Sequence, residues 1–168
     1  MATQNRQCST ELPLIMNMRA IYMSLSEEQL DILHESLIVV KNNKDLATSV
    51  FYEKLFEIDP TLRRLFPPDL TEQADKALFA FGAVAAQIQN VGTLGDLTRD
   101  LAVRHVNYGV LPQHYTQVGG AVLATIEVVF GDDITPAVTD AWRKAYDLIA
   151  TAMIAEAYAD LSNLKAAG

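Results

Sequence analysis

The sequence predicts an all-α fold, and three observations carry that expectation. Apolar residues recur at helical spacing through most of the 168 residues, as they do when one face of each helix is buried. Helix-start signatures precede several of these stripes: Ser26 with Gln29, Asp59 with Pro60, and Thr135 with Pro136. No segment shows the period-two alternation of a half-buried strand, and there is no internal repeat or low-complexity tract. The count comes to about seven helices joined by short loops.

Residues 1–25 open with the polar run MATQNRQCSTE and continue as LPLIMNMRAIYMS, a methionine-rich stretch long enough for one short amphipathic helix. They read as an extension, either a frayed arm or a helix laid on the domain, with a homodimer contact or a regulatory role left open. Ser26 and Gln29 then form a capping box with Leu25 and Leu30 as its hydrophobic staple. Leu30, Leu33, Leu37 and Val40 give the first buried face, and His34 falls off it toward solvent. After the polar break KNNKD, Phe51, Leu55, Ile58 and Leu62 are expected on one face with Tyr52 on its flank. Asp59 caps a short helix that opens on Pro60 and runs into Pro67 and Pro68.

Asp69 and Glu72 are spaced as a second capping pair for a helix reaching about Asn90, with Gln73, Ala77, Phe81, Val84 and Ile88 on one face and Gly92 as its stop. Leu94, Leu97, Leu101 and His105 form the next stripe, which Gly109 and Pro112 interrupt. Tyr115, Val118, Val122, Ile126 and Val129 mark the following helix, closed by Gly131. The last helix starts at Thr135 and Pro136 and turns Val138, Ala141, Trp142, Ala145, Leu148, Ile149 and Ala152 inward.

Composition narrows the partners. A formal net charge of −8 disfavours nucleic acid and anionic membranes, because phosphate recognition is driven by Lys and Arg. Cys8 is the only cysteine, which excludes an intrachain disulfide. The apolar run Leu12 to Met23 is too short and too interrupted by Asn17 and Arg19 to span a bilayer, and it lacks the pattern of a secretory signal. A cytoplasmic location without membrane insertion is expected.

The residue with the most chemistry is His105, which places an imidazole at the end of an apolar stripe. Taken alone, it reads more readily as a core histidine bonded to a neighbour than as a ligand. Phosphate-cradling glycine loops, CxxC pairs, HExxH, a nucleophile elbow and the paired Glu-x-x-His of di-iron bundles are all missing. A single neutral imidazole does not hold a bare metal ion tightly, but it can serve as the axial ligand of iron already held by a porphyrin.

From Ser26 to about Glu156 the chain resembles bacterial haemoglobins of the flavohaemoglobin and single-domain globin group. The resemblance rests on FYEKLFEIDPTLRRLF, TEQADK leading to IQNV, RHVNYGV, HYTQVGGAVLATIE and AWRKAYDLIATAM, in that order. The spacing is most similar to that of short globins without a reductase domain. What this implies is a globin fold around a haem b pocket (iron protoporphyrin IX), with a globin domain at 26–164 and a short tail at 165–168. His105 matches the proximal iron ligand and Phe66 the phenylalanine that packs on the porphyrin. Tyr52 and Gln73 match the distal tyrosine and glutamine, and Tyr115 a tyrosine that supports the proximal histidine. The resemblance further implies that Arg104 meets a haem propionate, that Val110 touches the porphyrin edge, and that Ala77 and Val118 line the pocket. His114 is expected at the surface.

Two positions depart from the family pattern. Ala77 stands where leucine is common, so the distal pocket is expected to be roomier unless Leu78 fills it. The glutamate that the family places on its last helix counts to Ala159 here, with Glu156 about one turn short of it. Losing that carboxylate weakens the electron donation that favours oxygen activation over simple binding. The implied function is reversible binding of dioxygen, and of nitric oxide and carbon monoxide, with a tight distal grip suited to nitric oxide dioxygenation or oxygen handling. Because the chain ends at Gly168, turnover is expected to need a separate reductase. The alternative is a haem-based gas sensor signalling through a protein partner.

Overall fold

A computed structural model describes residues 25–70, 73, 76 and 91–166, with side chains except at 91–97 and 159–166. Five α-helices account for most of it: α1 (Glu27–Asn42), α2 (Lys44–Ile58), α3 (Val91–Asn107), α4 (Pro112–Phe130) and α5 (Pro136–Ala166). Two 3-10 turns, Pro60–Leu65 and Gly131–Asp133, complete the order, and no strand occurs among the described residues. None of the described helices is long and apolar enough to cross a membrane.

The helix starts follow local chemistry. Ser26 Oγ accepts the Gln29 N–H at 3.2 Å while Gln29 Oε1 accepts the Ser26 N–H at 3.1 Å, closing the expected capping box, and Leu25 and Leu30 are both buried beside it. Asp59 Oδ1 accepts from the Thr61 backbone at 2.9 Å and Pro60 opens the turn. Thr135 Oγ1 accepts the Val138 N–H at 3.3 Å. Gly109 and Gly131 adopt φ of +80° and +52°, the left-handed region that glycine enters without a steric penalty, and they end α3 and α4.

Packing is pairwise. α2 lies on α4, α3 on α5, and α1 on α5, with α4 and α5 also in contact. The main core gathers Leu30, Leu33, Leu37, Val122, Ile126, Trp142 and Met153, and a second cluster gathers Tyr52, Leu55, Leu62 and Ala121. Trp142 Nε1 donates to Ser36 Oγ at 2.8 Å, so this buried indole N–H is satisfied across α1 and α5.

Three expectations are corrected. The break at KNNKD shrinks to Asn43, whose side chain and N–H both bond to the Val39 carbonyl and so bridge α1 to α2 with almost no loop. On α2 the buried face is Ala47, Val50, Tyr52 and Leu55, whereas Ile58 is 47% exposed; the face is rotated by the contact with α4, which places Tyr52 inward rather than on the flank. Among the described side chains of α3, Thr98 and Ala102 are fully buried and small enough for close approach to α5, with Leu101 and His105 half-buried beside them, while Leu94 and Leu97 of the expected stripe lie outside the described side chains. Gly92 lies inside α3 and does not end a helix there. The expected 69–90 helix lies largely outside the described residues, although Gln73 and Lys76 are helical.

The α4–α5 crossing depends on one missing side chain. A Cβ at Gly119 would stand 2.6 Å from Cε1 of Tyr146, whereas one at Gly120 would meet only the tip of Ile58 at 3.3 Å. Gly119→Ala is therefore expected to cost about 1–3 kcal/mol by overpacking, despite the higher helix propensity of alanine. Gly120→Ala should gain up to about 1 kcal/mol from that propensity. Chemical denaturation of both variants checks the pair.

Candidate functional site

α3 carries His105 in its last turn, where the chain is about to leave the helix. His105 Nδ1 lies 2.7 Å from the Leu101 carbonyl one turn earlier. A carbonyl only accepts, so Nδ1 carries the proton and Nε2 keeps its lone pair. Burial holds the imidazole below its ordinary pKa and so favours this neutral form; the bond to Leu101 pulls weakly the other way. His105 is thereby a neutral, oriented nitrogen donor.

The corner after His105 is tied down at several points. The Val110 N–H donates to the His105 carbonyl at 3.0 Å and the Gly109 N–H to Val106 at 2.9 Å. The Tyr115 ring lies against the imidazole, with centroids 6.2 Å apart and planes 26° from parallel. No hydrogen bond joins the two; the Tyr115 hydroxyl is buried without a partner among the described residues, and burial, with a smaller contribution from Tyr158, raises its pKa to about 12. From α5, Tyr146 donates to the Tyr115 carbonyl and Tyr158 to the Val110 carbonyl, each at 2.6 Å. Glu156 does not face this corner as an unpaired carboxylate but pairs with Arg99 at 3.2 Å.

A second group forms on α2 and the turn after it. Tyr52 is buried among Phe51, Phe56 and Phe66, with ring centroids 5.1, 5.9 and 5.5 Å away. Its hydroxyl makes no hydrogen bond to another described residue, and burial raises its pKa to about 12, so it stays protonated and able to donate at any physiological pH. Phe66 is held by Arg63, whose guanidinium donates to the Phe66, Pro67 and Pro68 carbonyls at 3.1, 2.8 and 2.9 Å and lies 5.5 Å from the Phe56 ring centre.

The two groups meet through shared packing. Phe51 and Val118 touch both apolar clusters, and Val110 and Leu101 pack on the cluster that contains Tyr115. A Cβ on Gly109 would stand 3.9 Å from Leu65, which sets the corner after His105 against the turn that leads to Phe66. Gln73 is helical and half-buried, Arg104 is exposed beside His105, and Ala77 falls outside the described residues. No cluster of three or more metal-capable side chains exists among the described residues.

Against this geometry, comparison with known proteins decides the family. The sequence profile of the family described as Globin matches residues 49–153. The chain belongs to the globin family. Within it, the globin is 29% identical over 133 residues to the Bacillus subtilis flavohemoprotein, covering 77% of this chain and 33% of that protein, so it spans about a third of the length of such relatives. Among solved structures it is similar to a bacterial globin from Campylobacter jejuni, with TM-score 0.71 and 28% identity over 82% of this chain and 99% of that one. It is also similar to an engineered carbene transferase, a candidate nitric oxide dioxygenase from Rhodothermus marinus, with TM-score 0.73 and 27% identity over 84% of this chain and 99% of that one.

One expectation on this corner fails. His114 is buried, not at the surface: its Nδ1 accepts the Leu111 N–H at 3.1 Å, because that amide precedes Pro112 and needs an acceptor at the start of α4. Sequence reading also passed over Arg63, Tyr146 and Tyr158. The run RRLFPP held a signal for Arg63, since consecutive prolines leave carbonyls exposed to a donor. Nothing in the spacing separates the two tyrosines from ordinary core residues.

The lowered His105 pKa predicts a pH dependence. Well above pH 6.5 the imidazole is neutral in folded and unfolded chains alike. As pH falls through 6.5 the unfolded chain takes up a proton that the folded chain resists, and stability drops until the folded-state value is passed. His105→Gln should flatten this acid limb, as read by urea unfolding of the ligand-free protein from pH 7.5 to 5.

Proposed function

We propose that this globin carries haem on His105 and binds diatomic gases there, with tight retention of dioxygen. The observation that carries the proposal is the imidazole itself, whose Nδ1 proton is committed to Leu101 and whose Nε2 lone pair is left to donate. The donor set fits iron held by a porphyrin better than a bare ion, because one neutral nitrogen among apolar and aromatic side chains supplies no anionic chelate. Haem, when bound, supplies the iron at which a diatomic ligand is held and across which electrons are exchanged.

The remaining work falls to the chain's own residues. Phe66, fixed by Arg63, offers an aromatic face for the macrocycle, and Val110 and Val118 offer apolar contact. Arg104, exposed beside His105, is placed to meet a carboxylate at the rim. Tyr52 presents a protonated hydroxyl from a dry aromatic setting, where a donor aimed at a ligand that gains negative charge on binding acts more strongly than in water. Gln73 serves as its neighbour in the distal pair. This grip suits nitric oxide scavenging with dioxygen, with electrons from a separate reductase, and the resemblance to flavohemoproteins supports that assignment.

The proximal side is expected to be weakly donating. A neutral carbonyl takes the Nδ1 proton, and Glu156 is spent on Arg99, so the imidazole gains little anionic character and binding is favoured over oxygen activation.

Titration of the purified protein with haemin tests the assignment. The wild type should take up one equivalent with a sharp Soret band, and His105→Ala should lose the axial ligand and retain haem poorly; full occupancy with unchanged spectra in that variant would sink the proposal. Tyr52→Phe removes a charge-assisted donor of about 1.5–3 kcal/mol. Dioxygen should then leave roughly 10- to 100-fold faster in stopped-flow measurements, and an unaltered rate would mean that the hydroxyl is aimed elsewhere.

A further inference from the structure

α5 contributes no side chain to the predicted site, yet its tyrosines hold the main chain on which that site stands. Tyr158 Oη donates to the Val110 carbonyl at 2.6 Å. Val110 in turn gives its N–H to the His105 carbonyl at 3.0 Å. The segment between them includes Gly109 at φ +80°, where the backbone is least restrained by its own side chain. Without an outside tether, the corner would rely on the turn bonds alone. Tyr108 N–H to Arg104 and Gly109 N–H to Val106 close the end of α3 but do not fix where the strand of chain beyond them lies relative to α5.

We propose that Tyr158 is a positioning residue for His105, acting through the Val110 main chain to set the orientation of the imidazole. This rests on the reading of His105 as the haem ligand. A phenol suits the task because it donates a single directional hydrogen bond while adding no charge near the imidazole. A carboxylate reaching the same place would instead accept, and would find a carbonyl rather than a donor. The last helix thus acts on the proximal side mechanically, by holding backbone, whereas the imidazole Nδ1–H goes on donating to the Leu101 carbonyl. Tyr146 makes a comparable bond one segment later, to the Tyr115 carbonyl, so the chain on both sides of Pro112 is anchored to α5.

The test compares Tyr158→Phe with Ser36→Ala, which removes an equally tertiary hydrogen bond, from Trp142, that joins α1 to α5 and touches neither Val110 nor His105. In the ligand-free protein, hydrogen exchange at the Val110 amide should be about tenfold faster in Tyr158→Phe than in Ser36→Ala. In the haemin-loaded protein, Tyr158→Phe should release haem several-fold faster, and the iron–histidine stretching band of its ferrous form should shift and broaden. Ser36→Ala should leave that band where the wild type has it. Unchanged Val110 exchange and an unchanged band in Tyr158→Phe would overturn the proposal, as would equal changes in both variants. Should the wild type take up no haemin, the reading of His105 falls while the exchange measurement still decides whether Tyr158 restrains the corner.

Discussion

The hydrogen bond from His105 Nδ1 to the Leu101 carbonyl is the constraint on which the site depends. It asks little of the helix, since a carbonyl oxygen has two lone pairs and can accept the imidazole proton beside its helical amide. It also selects the tautomer, because a proton fixed at Nδ1 leaves Nε2 as the only donor. Burial works in the same direction by disfavouring the charged ring. One local contact, made to a carbonyl one turn earlier on the same helix, thus converts an ordinary imidazole into an oriented ligand.

The rest of the fold places this ligand against the aromatic group on the opposite side. α4 is the intermediary: it packs on α2, carries Val118 between the two apolar clusters, and bonds through Gln117 to Asp59 at 2.8 Å where the turn to Phe66 begins. α5 backs both α3 and α4, and the glycine at 119 lets the Tyr146 ring come close enough for its hydroxyl to reach the Tyr115 carbonyl. Arg63 performs the matching service for the 66–68 segment by donating to three successive carbonyls. Tyr146 and Arg63 thus both bring a polar side chain to main-chain carbonyls, and those at 66–68 lie where regular helix bonding has stopped.

Features governed by local chemistry were legible in the sequence, and those governed by packing were less so. The caps at Ser26, Asp59 and Thr135 and the stops at Gly109 and Gly131 depend on a few neighbouring residues, and they are found where the spacing places them. The rotation of α2 was not legible, because apolar residues surround its circumference and only the contact with α4 decides that Tyr52 is buried and Ile58 exposed. His114 was misjudged because a histidine three residues into a helix reads as polar surface unless the orphan amide of Leu111 is counted as a partner. The family resemblance named His105, Tyr52 and Phe66 as site residues but said nothing of Leu101, whose contribution is a carbonyl and leaves no trace in the identity of its side chain. Tyr158 was hidden for a related reason, since its target is also main chain.

Haem ligation by His105 is tested most directly by the visible absorption spectrum of the purified chain with haemin, recorded ferric, then ferrous, then under carbon monoxide. Carbon monoxide should convert the ferrous species to one with a sharp, intense Soret band typical of histidine-ligated haem, and His105→Ala should lose this conversion. A weak, broad band like that of free haemin, the same in both proteins, would contradict that ligation.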